Sequence, residues 1–97
     1  MNVNITALNF EISERLTEFI NKKAARLAHK YPDITDYDAR LKVVKPETAL
    51  NKQATLMVVV PDSPDLVATK VCDTFEEAVD QAISALERQL EKLKDRK

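Results

Sequence analysis

The chain has 97 residues, of which 44% are hydrophobic and 32% charged, with a formal net charge of -1. These values are typical of one globular domain and exclude a disordered chain. Its apolar runs are too short to cross a membrane, and its first residues lack the basic start and apolar stretch of a signal peptide. The composition therefore predicts a cytoplasmic domain that does not bind membranes.

Missing residue types narrow the possible chemistry. Glycine is absent, which excludes the usual phosphate-binding loops, since those need glycine where the backbone meets phosphate. His29 is the only histidine and Cys72 the only cysteine. An ordinary zinc site or an internal disulfide therefore cannot be assembled, and we expect His29 to be a surface residue and Cys72 a core or edge residue. The sequence predicts no enzyme activity, no cofactor, no metal and no small-molecule substrate.

The first part of the chain predicts a strand followed by a helix. Alternation of apolar and polar side chains over residues 2–6 predicts a short strand, and residues 7–12 a turn region. Ser13 is a predicted helix N-cap. Apolar residues then recur with helical spacing as far as Tyr31, where Pro32 ends the helix because the residue before a proline avoids helical backbone angles.

The rest of the chain predicts three strands and a closing helix. Alternation of apolar and polar side chains predicts a strand at 37–43, and a polar connection follows at 46–52. Two further strands are predicted at 54–60 and 66–72, with a turn at 61–65 between them. Thr74 and Glu77 match a capping box. An apolar stripe over residues 75–93 then predicts a long helix.

This order predicts an α+β fold of two layers, β-α-β-β-β-α, with a four-stranded mixed sheet and both helices on one of its faces. The first helix is long enough for a crossover, so the first two strands are predicted to be parallel neighbours, and the others to form hairpins. The opposite face of the sheet stays open. Its predicted residues are Arg40, Lys42, Thr55, Met57 and Val59.

Both predicted helices gather their positive charges on one side. The first carries its cations in one stripe, with Lys23 beside it: Arg15, Lys22, Arg26 and Lys30. The last carries cations on one flank and carboxylates on the other: Arg88, Lys92 and Arg96 against Glu76, Asp80, Glu87 and Glu91. An unspecialised surface helix more often mixes the two signs. Sorting creates a local positive field, which favours a polyanionic partner.

An ordered set of short segments, together with the strand and helix pattern, resembles the ribosome hibernation-promoting factors, also called ribosome-associated inhibitors or sigma-54 modulation proteins. The resemblance covers nearly the whole chain. The segments are Val-Asn-Ile-Thr at 3–6, Glu-Ile-Ser-Glu-Arg-Leu at 11–16, Leu-Lys-Val at 41–43, Ala-Thr-Leu at 54–56 and Leu-Glu-Arg-Gln-Leu-Glu-Lys-Leu-Lys at 86–94.

The resemblance implies a fold similar to double-stranded-RNA-binding domains and a bacterial protein that binds the small ribosomal subunit. There the family blocks the sites of transfer RNA and messenger RNA under stress or in stationary phase, without chemistry. Its contacts run from helix cations to phosphates of ribosomal RNA. By position, the implied RNA-binding residues are Lys22, Lys23, Arg26, Lys30, Arg88 and Lys92. Arg96 extends the same flank of the last helix.

Some features depart from the family pattern. Ala85 stands where the family often has lysine, so one phosphate contact is expected to be missing, and residues 72–75 match loosely. The chain stops at Lys97, which predicts a single domain over 1–97 without the C-terminal domain that pairs ribosomes in long members. The older family name leaves an alternative open, a protein-interaction module that regulates a transcription factor or another protein partner. Merely solvated basic faces are a further alternative.

Overall fold

The computed structural model describes residues 1–45 and 50–95. Its elements in chain order are β1 (Asn2–Leu8), α1 (Glu14–Lys30), β2 (Asp36–Val43), β3 (Lys52–Val59), β4 (Leu66–Cys72) and α2 (Phe75–Asp95). The predicted α+β order is confirmed. Of the predicted connection at 46–52, residues 46–49 lie outside the described residues and Lys52 already belongs to β3.

The four strands form one sheet in the order β1-β2-β3-β4. β1 runs parallel to β2, with Ile5 opposite Ala39. β2 and β3, and then β3 and β4, are antiparallel, with Ala39 opposite Leu56 and Leu56 opposite Ala68. The predicted parallel pair and the two hairpins are therefore confirmed.

The core lies between the helices and one face of the sheet. Apolar residues at helical spacing on α1 and α2 meet every second residue of β2 and β3, which buries both apolar surfaces. The largest fully buried side chains are Tyr37, Ile20, Leu41, Leu56, Leu86, Val58 and Val79. The opposite face stays open, and the predicted residues Arg40, Lys42, Thr55, Met57 and Val59 lie on it.

Both predicted helix starts are confirmed by their capping bonds. The Ser13 hydroxyl oxygen accepts a hydrogen bond from the Leu16 backbone N–H at 3.1 Å. The Thr74 hydroxyl oxygen likewise accepts from the Glu77 backbone N–H at 3.1 Å. Each cap satisfies an N–H group that has no partner within its own helix, which fixes where α1 and α2 begin.

The turn predicted from residue 7 onward begins too early. Ala7 and Leu8 continue β1, because they pair in register with residues of β2. The strand ends at Leu8, and the next residue, Asn9, has a φ of 70° in the left-handed region that asparagine tolerates better than most residues. The chain then turns so that the Phe10 ring stacks on the Phe75 ring, with centroids 4.5 Å apart. This stack ties the β1–α1 connection to the start of α2.

The outer edge at β4 is protected by two side chains. Lys70 is paired with the fully buried Ala54 in the sheet register, so a lysine lies on the helix-facing side of the edge strand. The Gln89 side-chain amide of α2 donates to the Val67 carbonyl at 3.0 Å. An inward lysine and a covered carbonyl both hinder pairing with another strand. The Gln89 bond also shows which flank of α2 lies over β4.

Candidate nucleic-acid interface

The cations of α1 project from a helix whose opposite side is anchored in the core. Leu16, Ile20, Ala24 and Leu27 are buried against the sheet. At about 100° per residue, Lys22 lies opposite this buried stripe, and Arg26 lies between Lys22 and α2. Arg15, Lys22 and Arg26 are exposed. Within residues 1–45 and 50–95 none of the three forms an ion pair.

Two other predicted cations of α1 are paired with carboxylates of α2. The Lys23 ammonium lies 2.8 Å from an Asp80 carboxylate oxygen. The Lys30 ammonium lies 3.0 Å from a Glu87 carboxylate oxygen and donates a hydrogen bond to it. The acidic flank of α2 therefore faces the basic stripe of α1. We call the four residues Lys23, Lys30, Asp80 and Glu87 the interhelical seam.

Tyr31 extends the contact between the helices at the end of α1. Its hydroxyl donates to a carboxylate oxygen of Glu91. Burial of the Tyr31 ring, and then the hydrogen bond with Glu91, raise the pKa of its hydroxyl. The ammonium groups of Lys30 and Lys94 lie 5.6 Å and 5.7 Å from the centre of its ring. Lys94 was not among the predicted site residues, because it lies on the flank of α2 that carries the carboxylates.

The pair with Glu87 favours the ionised form of Lys30. The hydrogen bond with Glu87, followed by the attraction of its charge, raises the pKa of Lys30. Lys30 is therefore fully protonated near neutral pH, and its charge is offset locally by Glu87. A cleft of about 780 Å³ lies above the seam, bordered also by Arg26, His29 and Ser84. This cleft is where a ligand of the helix layer would meet charges of both signs.

The predicted cations of α2 lie on the side of that helix away from the interhelical seam. Arg88 lies opposite the buried Leu86 on the helix, so it projects away from the sheet, as Lys22 does on α1. Lys92 follows one turn later, toward β4. Both are exposed, and neither forms an ion pair with the described residues. Arg96, predicted to continue this flank, lies outside the described residues.

The helix layer therefore presents three parallel zones. Free cations of α1 form the first, the ion-paired seam the second, and the free cations Arg88 and Lys92 of α2 the third. The two basic flanks do not join into one continuous stripe, because the acidic flank of α2 lies between them. A phosphate backbone that crosses both helices can contact the two cationic zones and must pass over the seam.

The spacing of charged residues along the sequence indicates the contacts of the interhelical seam. Lys23 and Lys30 are seven residues apart, and so are Asp80 and Glu87. Equal spacing of opposite charges on two helices indicates helices that pack side by side with those flanks in contact. The helical spacing of α1 alone predicts that all its lysines are available to a partner.

The single histidine and the single cysteine of the sequence lie where we expected them. His29 is exposed, and Cys72 is buried with 3% of its surface accessible. Burial, and then the nearby carboxylate of Glu77, raise the pKa of the Cys72 thiol, which opposes formation of a reactive thiolate. Over the described ranges no group of histidine, cysteine and carboxylate side chains could hold a metal ion. None of the helices in those ranges is long and apolar enough to cross a membrane.

Relatives and solved structures agree over almost the whole chain. The chain is 35% identical over 96 residues to the ribosome hibernation promoting factor of Escherichia coli strain K12, covering 99% of this chain and 96% of that protein. It is 28% identical to the factor of the same name from Pseudomonas putida strain KT2440, covering 99% and 89%. The structure superposes on a ribosomal subunit interface protein from Coxiella burnetii with a TM-score of 0.86 and 27% identity, covering 98% and 99% of the two chains.

The fold is shared more widely than the sequence. The N-terminal domain of Thermus thermophilus Protein Y superposes with a TM-score of 0.80 at 23% identity, covering 96% of this chain and 99% of that one. The family model described as Sigma 54 modulation protein / S30EA ribosomal protein matches residues 3–97. The chain therefore belongs to the Sigma 54 modulation protein / S30EA ribosomal protein family.

Proposed function

We propose that this protein is a ribosome hibernation factor that acts in the cytoplasm. In this proposal it binds ribosomal RNA of the small subunit through the cations of its helix layer and sterically blocks the sites of transfer RNA and messenger RNA. Membership of the family and the names of its relatives support the ribosome as partner. The observation that carries the RNA contact is a set of exposed cations on the outward side of both helices that form no ion pair with the described residues: Arg15, Lys22, Arg26, Arg88 and Lys92.

Free cations matter because affinity for RNA comes largely from neutralising phosphates. A lysine or arginine without an internal partner can displace a counterion condensed on RNA, and the released counterion contributes entropy. Positive charge gathered on one surface also steers the approach of a polyanion. The net charge of -1 does not oppose this, because the approach of a polyanion depends on the local field around the exposed cations and not on the total charge.

Steric action fits the chemistry of the described residues. The proposed site is a set of exposed ammonium and guanidinium groups on a rigid layer of two helices. Such groups bind phosphate and hold a domain in place, and a bound domain of this size excludes other ligands from the same space. Inhibition of translation should therefore follow occupancy of the ribosome.

Cosedimentation with purified ribosomal subunits tests this proposal. At low salt the protein should sediment with small subunits and much less with large subunits. Raising the salt concentration should release it, because cation–phosphate contacts weaken as counterions are added. A protein found only at the top of the gradient at every salt concentration would contradict the proposal.

The same experiment distinguishes the alternative of a protein partner. A regulator that acts on a transcription factor would hold that partner in high salt through an apolar interface and would not follow the small subunit. Recovery of a stoichiometric protein complex in high salt, without ribosome binding at low salt, would favour that alternative.

A further inference from the structure

The interhelical seam places negative charge inside the proposed RNA site. Asp80 and Glu87 contact Lys23 and Lys30, and both carboxylates border the cleft between the helices. The side chains stay in contact with solvent: 52% of Asp80 and 35% of Glu87 are accessible. These carboxylates are therefore accessible to an approaching phosphate, and each lies beside a lysine that the phosphate would otherwise contact.

An RNA phosphate competes with these carboxylates for the same ammonium groups. If it displaces Glu87 from Lys30, the carboxylate loses its partner and must be solvated again. If the pair stays intact, the phosphate approaches a carboxylate of like charge. Either outcome reduces the gain from binding over the seam, whereas Lys22, Arg26 and Arg88 have no such competitor among the described residues.

We propose that Asp80 and Glu87 are specificity-determining residues, which penalise indiscriminate binding of RNA and so sharpen the preference for the ribosomal site. The inference rests on the proposed function. Unstructured RNA covers the helix layer in many registers, and most of these bring phosphates over the seam. A folded RNA site can bring phosphates of two separate strands to the free cations on the two sides, so that no backbone crosses the seam. A penalty that falls mainly on unwanted partners is a general route to specificity.

The expected size of the penalty is modest. Solvent-exposed ion pairs change equilibria by roughly two- to five-fold. Glu87→Gln should therefore tighten binding to an unstructured RNA such as poly(U) by roughly two- to five-fold at low salt. Its affinity for the small subunit should change by less, so that the ratio of the two affinities falls. Asp80→Asn should act in the same direction through Lys23.

Glu76→Gln is the matched control. Glu76 lies on the same flank of α2, is exposed, and forms no ion pair with the described residues. Each of the two replacements removes one negative charge, so a purely diffuse electrostatic effect would be the same in both. The inference predicts a clearly larger gain in poly(U) affinity for Glu87→Gln than for Glu76→Gln.

A double-mutant cycle tests whether Glu87 acts through Lys30. In a Lys30→Met background the replacement Glu87→Gln should gain little further affinity for poly(U), because the ammonium for which Glu87 competes is gone. A helix that was merely loosened by the Glu87 replacement would show the same gain with either residue at position 30. Thermal unfolding of each variant checks that the domain remains folded.

The binding measurements use wild type and variants with both poly(U) and purified small subunits. Three results together support the inference. Wild type binds small subunits, Glu87→Gln gains more poly(U) affinity than Glu76→Gln does, and this gain is lost in the Lys30→Met background. Wild-type binding to subunits with equal gains for Glu87→Gln and Glu76→Gln, or with an unchanged affinity ratio, would overturn the inference alone. Absence of wild-type binding to subunits would overturn the proposed function and the inference with it.

Discussion

The Lys30 ammonium donates to the Glu87 carboxylate at 3.0 Å and so joins the last turn of α1 to the middle of α2. The bond is exposed to solvent, with 58% of the Lys30 side chain accessible. Exposed pairs contribute little to folding, because water and salt screen them. Its main consequence is for the surface, where it removes Lys30 from the cations that are free to bind.

We predict that Lys30→Met leaves the thermal unfolding midpoint nearly unchanged and weakens small-subunit binding less than Lys22→Met does. The charge of Lys30 is already offset by the Glu87 carboxylate, whereas Lys22 has no ion-pair partner among the described residues. Thermal denaturation followed by circular dichroism and cosedimentation at low salt measure the two effects. An equal loss of binding in both variants would show that the pair with Glu87 does not limit Lys30.

A lysine introduced at position 85 should strengthen the α2 part of the site. Ala85 lies on the flank of α2 that also carries Arg88 and Lys92 and is only partly buried. If this flank faces RNA, Ala85→Lys should steepen the slope of log affinity against log salt concentration by roughly 0.7 to 0.9. It should also tighten binding at low salt. An unchanged slope would mean that this flank lies away from RNA, and the site would shrink to the α1 cations.

Tyr37→Phe should stabilise the fold. The Tyr37 side chain is fully buried, and its hydroxyl has no hydrogen-bond partner among the described residues. A buried polar group without a partner costs about 1 to 3 kcal/mol, so we expect a gain in unfolding free energy of about 1 kcal/mol, measured by urea denaturation. A loss of stability in the variant would show that the hydroxyl is satisfied by a bound water.

The burial of Tyr37 also predicts that the stability of the fold depends on pH. Burial raises the pKa of the Tyr37 hydroxyl well above its ordinary value. Above a pH of about 10 the tyrosine ionises in the unfolded chain and stays neutral in the folded one, so the unfolded state binds fewer protons and stability falls as pH rises. Tyr37→Phe removes this contribution. Its advantage over wild type should therefore grow between neutral pH and alkaline pH.

Inhibition of translation should need neither His29 nor Cys72. His29→Ala and Cys72→Ala should both retain the wild-type level of inhibition in a cell-free translation assay. Alanine is the suitable replacement for Cys72, because a serine hydroxyl at this buried position would need a partner. A large loss of inhibition in either variant, with unfolding midpoint and ribosome affinity unchanged, would indicate chemistry and contradict a steric mechanism.

Local sequence signals were enough for most of the fold. Ser13 and Thr74 mark the starts of the helices through short-range capping bonds, and the alternation at 37–43 gives β2 because its apolar residues are the buried ones. The end of β1 was misplaced, because Ala7 and Leu8 are strand residues only through their pairing with β2. Pairing of that kind is not encoded in the local sequence.

For the candidate site, too, local patterns could be predicted from the sequence and contacts between elements could not. Helical spacing identified the cations and placed Lys22 and Arg88 on the surface, since exposure depends on the helix alone. It did not show that Lys23 and Lys30 meet Asp80 and Glu87, because that contact depends on how the two helices pack. The division of the cations into free and paired groups therefore cannot be predicted from either helix by itself.

The most direct test of the account compares two double charge reversals in small-subunit binding. Lys22→Glu/Arg26→Glu changes free cations of α1, and Arg40→Glu/Lys42→Glu makes the same charge change on the open face of the sheet. We predict that the dissociation constant at fixed low salt rises by at least about tenfold for the first variant and by less than about twofold for the second. Equal losses in two folded variants would show that attraction is diffuse and would contradict binding through the helix layer.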